Sequence, residues 1–185
     1  MKNTYLTSYF PLLSIILFSL TLAINVEMVL LDFLRKTGIY EGMKEFFTDG
    51  GIKLALLFLL LIAFFMVFAA LKLIADTINE LSLLFFSRDS EGDSLKLIRS
   101  GSTIYFFGGA ISLLSMYSFI GIALILALTT VIYFVYFVYK VSPTLSIIGV
   151  SGLIFFQVLV WSSLLLGVFY LSIRVYNSIM ASLPI

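Results

Sequence analysis

Four polar side chains hold most of the chemistry this chain could place in an apolar environment: Asn25, Glu27, Asp32 and Gln157. A carboxylate can serve as a general base or hold a cation, and Glu27 and Asp32 supply that type. A side-chain amide both donates and accepts, and Asn25 and Gln157 supply that type. Asn25 and Asp32 are seven residues apart, which places them on one face of a helix. Gln157 lies midway through an uncharged run, close to Trp161, Ser162 and Ser163. Strongly polar groups at membrane depth are functional pointers by default, so these four are the candidate binding residues. A partner reading competes with the ligand reading for Gln157, since glutamine can also hold two helices together.

The residue types that are missing narrow the chemistry further. The 185 residues include no Cys and no His. That removes thiol nucleophiles, disulfides, imidazole bases and the usual zinc, copper and haem ligands. No phosphate-binding loop, zinc helix, nucleophile elbow or dinucleotide fingerprint occurs. No catalytic set, metal site or cofactor is expected. Asp89, Glu91 and Asp93 alternate like the opening of a calcium loop. The glycine is at the wrong position and Ser100 stands where a bidentate glutamate is needed, so that reading fails.

The elements that must position these residues follow from where charge is absent. Hydrophobic residues make up 62% of the chain and charged residues only 11%, against about 25% charged in a soluble domain. The uncharged stretches are 3–26, 54–71, 100–139 and 141–173. A spanning helix needs about 20 apolar residues. The first two stretches each fit one span. The third is roughly 60 Å long as a single helix, twice the hydrocarbon thickness of about 30 Å, so it folds as a hairpin turning at Ser118–Gly121. The fourth follows the break at Ser142-Pro143 and fits one long tilted span. The fold class is therefore all-α, a polytopic transmembrane helix bundle of about five spans, with four as the alternative. The spans cover 9–33, 52–75 with a juxtamembrane extension to 86, 102–117, 122–139 and 145–173. Five spans put the termini on opposite sides.

Between spans, Ile39, Met43, Phe46 and Phe47 share one helical face, and Glu41, Lys44 and Glu45 share the other. This predicts an interfacial helix over 39–47 that caps the bundle, with a lid over a cavity as the sharper reading. Beyond Lys72, the polar residues Asp76, Asn79 and Glu80 read as the solvated face of a helix projecting past the bilayer. Lys72 and Asp76 form an i,i+4 pair. A hydrophilic loop follows over 87–100. The run Tyr133–Tyr139 reads as an aromatic belt at an interface. Gly108 and Ser112, Ala123 and Ala127, and Gly149, Gly152 and Gly167 supply small residues for close helix approach.

The positive charges divide six against five between the two sides of a five-span bundle, a slight lean towards an inside N-terminus. The apolar run after Lys2 lacks a small-residue cleavage site and reads as a retained first helix. The Lys and Arg residues are scattered, so no nucleic-acid partner is expected.

The opening Lys2-Asn3-Thr4-Tyr5-Leu6-Thr7-Ser8-Tyr9-Phe10-Pro11, running into an apolar helix, resembles the start of the YufK-type membrane proteins of Bacillus and relatives. Length and hydrophobic layout are similar as well. The resemblance implies a multi-pass protein of a bacterial cytoplasmic membrane and transfers no activity or site residue. The chain thus reads as a non-enzymatic accessory or interaction protein working through helix packing, alone as a homo-oligomer or in a larger membrane complex. A small transporter or channel with a path near Asn25, Glu27 and Gln157 is the alternative. A membrane enzyme acting on a lipid with Glu27 or Asp32 as base is the third reading.

Overall fold

A computed structural model describes residues 9–87 and 98–182. Six α-helices account for most of them: α1 Phe10–Lys36, α2 Ile39–Lys44, α3 Asp49–Phe86, α4 Ser102–Ser112, α5 Phe119–Val141 and α6 Ile147–Ser182. The described residues contain no strand.

Local signals set the helix ends. Pro11 opens α1, where its missing N–H costs nothing, and Arg35 and Lys36 close it against the negative end of the helix dipole. Gly38 then adopts φ 75°, the left-handed conformation that glycine tolerates, and its N–H bonds the Arg35 carbonyl. The hydroxyls of Thr48, Ser118 and Ser146 accept from the backbone N–H groups of Gly51, Gly121 and Gly149, capping α3, α5 and α6. The expected turn at Ser118–Gly121 is therefore the cap and first turn of α5, and the reversal itself falls on Met116 and Tyr117.

Four helices are long and apolar enough to cross a bilayer: Phe10–Lys36, Asp49–Phe86, Phe119–Thr144 and Ile147–Ala181. The chain is an all-α membrane helix bundle. α4 has only 11 residues, short of the expected 102–117. It is flanked by 3-10 turns at Arg99–Gly101 and Leu113–Ser115, which bring the helical path from Ile98 to Ser115 to roughly 27–30 Å. Ile98 to Ser100 thus belong to a helical segment, and the rest of the hydrophilic stretch, 88–97, lies outside the described residues. So do residues 1–8, which carry most of the opening resemblance. α3 runs unbroken to Phe86 as expected, and α6 continues nine residues past the expected end at 173.

Packing gives the helix directions. Phe10 stacks on Phe106, Leu17 lies against Gly109, Thr21 bonds Ser112 and Asn25 bonds the Met116 carbonyl. The numbers rise together, so α1 and α4 are parallel. Phe18 meets Phe68, and Tyr40 just after α1 bonds Asp49 at the start of α3, so α1 and α3 are antiparallel. Gly101 faces Tyr133 and Gly108 faces Thr129, so α5 runs against α4. Asn79 bonds Gln157 while Phe86 fills the notch at Gly152, so α6 runs against α3. Helices α1, α3, α4, α5 and α6 alternate direction along the chain.

Two regions of packing result. In the first, α1 is held between α3 and α4, with Phe18 and Ala23 buried. In the second, Leu83 from α3, Ile98, Phe137 and Val141 from α5, and Leu153 from α6 form one cluster, with Phe86 and Tyr133 against it.

Candidate functional site

Gln157 is buried, and its side-chain N–H groups donate to the Asn79 carbonyl oxygen at 2.9 Å and the Ser82 hydroxyl at 3.2 Å. Asn79 in turn donates to the Tyr133 hydroxyl at 3.3 Å, and Tyr133 packs on Tyr105, whose hydroxyl bonds Thr130. A polar seam thus runs across α3, α4, α5 and α6 through an apolar interior. Asn79 and Ser82 lie on one face of α3 with Phe86, at spacings of three and four. Phe86 presses on Gly152, where an added Cβ would come within 2.5 Å of its ring. The small residue at 152 lets α6 approach closely enough for the Gln157 amide to reach its partners.

Sequence reasoning missed Asn79, which reads as part of a solvated face with Asp76 and Glu80. The structure buries Asn79 and leaves Glu80 exposed. The available signal was its spacing to Ser82 and Phe86, a stripe distinct from the Lys72–Asp76 pair, which does form.

Asn25 is buried one region away, donating to the Met116 carbonyl at 2.9 Å. That bond satisfies a carbonyl freed where the α4 path ends in a 3-10 turn. A turn earlier, Thr21 and Ser112 share a hydrogen bond of 3.0 Å. Glu27 is half-buried towards the Lys53 end of α3. Asp32 is exposed and pairs with Lys36 at 2.5 Å. The shared face expected for Asn25 and Asp32 does not become a shared site: one points into the α1–α4 contact and the other to the surface. Gln157 belongs to a different helix contact altogether. The four candidates are not brought together. Every buried side-chain polar atom among the described residues has a partner.

The linker between α1 and α3 turns on a residue outside the expected apolar face. Tyr40 is buried and donates to Asp49 at 2.5 Å, while Arg35 and Lys44 lie over its ring at 5.0 and 5.1 Å. Asp49 also pairs with Lys53 at 2.7 Å. Ile39, Phe46 and Phe47 stay exposed, the disposition of an interfacial segment, though the α-helix itself covers only Ile39–Lys44. The aromatic run of α5 likewise divides: Phe137 enters the core, Tyr136 bonds Ser100 beneath Lys140, and Tyr139 remains outside.

Two surface grooves have been resolved near α6. One is lined by Leu73, Ile74, Thr77, Ile78, Val160 and Leu164, the other by Tyr170, Ile173, Arg174, Asn177, Ser178 and Ala181. Neither is lined by Asn25, Glu27 or Gln157. The described residues contain no cluster of three or more carboxylates that could hold a metal.

No solved structure matches the chain. The uncharacterized membrane protein YufK of Bacillus subtilis (strain 168) is 46% identical over 185 residues, covering all of both chains. A family of unknown function, DUF5366, matches residues 27–184, a stretch that includes Asn79, Ser82 and Gln157 and leaves Asn25 and most of α1 outside. The chain belongs to the DUF5366 family.

Proposed function

We propose that this chain is a non-enzymatic accessory protein of a bacterial cytoplasmic membrane that acts through helix contacts. The observation that carries the reading is the engagement of Gln157. Its amide is buried between Asn79 and Ser82, where it joins α6 to α3 instead of facing a pathway. Interhelical bonds of this kind are worth about 0.6–1.7 kcal/mol in a membrane. Asn25 plays the same part between α1 and the end of α4. Helices held together in this way suit a rigid scaffold better than a transport path or an enzyme site for a lipid substrate. The full-length kinship with a Bacillus membrane protein supports the bacterial membrane.

The alternation of helix directions favours five crossings. α1 and α4 run one way, α3 and α5 the other, and α6 returns in the first direction, so the short α4 path counts as a crossing and the termini lie on opposite sides. The Cys-free chain allows single cysteines at each end, and a membrane-impermeant thiol reagent is expected to label only one of them in intact cells.

The accessory reading is tested by purification in mild detergent after crosslinking in native membranes. It predicts recovery as a larger assembly. Recovery as an isolated monomer alone overturns it, as does water-accessible labelling at position 157, which the transporter reading requires.

A further inference from the structure

Residues 37–48 join two helices that are each long and apolar enough to cross a bilayer. The segment therefore emerges at a membrane face, wherever the boundary falls along either helix. Apolar surface continues right up to it. Phe33 on α1 and Leu54 on α3 are exposed beside it, and Ile39, Phe46 and Phe47 are exposed within it, Phe46 at 81%. Apolar side chains in such a segment sit among lipid headgroups and the first carbons of the acyl chains.

The charges here are nearly all spent locally. Residues 32–53 carry four basic and four acidic side chains. Three ion pairs form among them: Asp32 with Lys36, Glu41 with Lys44, and Asp49 with Lys53. Arg35 is the cation left over. Among the described residues its guanidinium has no ion pair or hydrogen bond, and it lies over the Tyr40 ring at 5.0 Å. That ring is fixed, because Tyr40 is buried and its hydroxyl donates to Asp49. A guanidinium resting on a fixed ring has its position set and its N–H donors free. Lys44 lies over the same ring at 5.1 Å, and Phe46 and Phe47 follow it closely in the chain. The free donors and the exposed aromatic residues thus share one neighbourhood.

We propose that Arg35, on its Tyr40 platform, binds the phosphate of a phospholipid, with the acyl chains of that lipid against the exposed aromatic residues of the linker. The inference goes beyond the accessory reading and does not rest on it. A guanidinium fork matches two phosphate oxygens in bidentate geometry. The charges of 32–53 balance, so no broad positive field gathers anions at this end. Recognition falls to the fork, which reads the phosphate and not the group attached beyond it. A soluble acidic segment would satisfy Arg35 but leave Phe46 and Phe47 in water.

The test uses the full chain, delipidated in mild detergent and offered phosphatidylglycerol, phosphatidylethanolamine or diacylglycerol. The lipid-bound fraction is read by native mass spectrometry. Both phospholipids are expected to be retained alike. Diacylglycerol, which has the chains without the phosphate, should be retained about tenfold less. Arg35→Gln should lower phospholipid retention by about tenfold, and Arg35→Lys by less, since lysine keeps the charge and loses the fork. Arg174→Gln, at the exposed arginine of α6, should leave retention unchanged. Arg35 is exposed, so an unchanged melting temperature is expected and shows that the variants fold. Full retention in Arg35→Gln, an equal loss in Arg174→Gln, or diacylglycerol held as well as the phospholipids overturns the proposal. So does retention of phosphatidylglycerol alone, which would mark a general attraction for anions. Displacement of the lipid by millimolar glycerol 3-phosphate also overturns it, because the site would then take a soluble phosphate. Loss of lipid binding with a larger assembly still recovered removes this site and leaves the accessory reading standing. A lone monomer that holds phospholipid through Arg35 does the reverse.

Discussion

The first and second halves of α6 are built from similar residues and have opposite fates. From Ile147 to Val160, glycines at 149 and 152 admit Phe86, Leu153 is fully buried, and Gln157 bonds α3. From Ser162 onwards, Gly167 meets nothing, Leu164, Leu165 and Leu166 are exposed, and Asn177 has no partner among the described residues. Composition therefore does not decide which half packs. The difference lies in what stands opposite: α3 offers Phe86, Leu83, Ser82 and Asn79 to the first half and has turned to α1 where the second half begins.

Three pairs of substitutions probe that contrast and one further change lies outside α6, each read as stability to heat or denaturant in detergent. Leu153→Ala opens a cavity in the second core and is expected to cost about 2–5 kcal/mol. Leu166→Ala should stay within about 0.5 kcal/mol of the parent. Gly152→Leu drives a side chain into the Phe86 ring and should cost about 1–3 kcal/mol, whereas Gly167→Leu should be neutral by the same measure. A large loss from Gly167→Leu would mean that the second half packs within the monomer. Gln157→Leu should cost about 0.6–1.7 kcal/mol, with Asn177→Leu again silent in the isolated chain. The smallest effect is expected at Thr21→Val, which breaks the single bond to Ser112 and should cost about 0.6 kcal/mol. Were Gln157→Leu to leave stability intact while changing solute passage, the packing role assigned to that amide would fail.

Several features of the fold are legible in the sequence because they depend on local chemistry. The runs without charge locate the spanning helices, since an unpaired charge in hydrocarbon is costly wherever it sits. Lys72 and Asp76 pair as their spacing requires, and α3 continues past them to Phe86. Ser118 is less legible: a serine followed by glycine at 121 reads as a turn, yet it caps the next helix, and both outcomes use the same hydroxyl. Asn79 is misread for a different reason. Its neighbours Asp76 and Glu80 are charged, and period alone cannot say which of two polar stripes faces a partner.

The opening candidates show the same division. The sequence by itself determined that this is a membrane helix bundle, that imidazole and thiol chemistry are absent, and that Gln157 is the polar group to explain. Those conclusions follow from residue types and from the cost of placing each type in lipid. Only the tertiary structure decided that Gln157 meets Asn79 and Ser82, that Asn25 and Asp32 part company, and that half of α6 is left bare. Such outcomes depend on contacts between residues up to 91 positions apart, as in Asn25 with Met116, and no local pattern encodes which distant surface will be opposite.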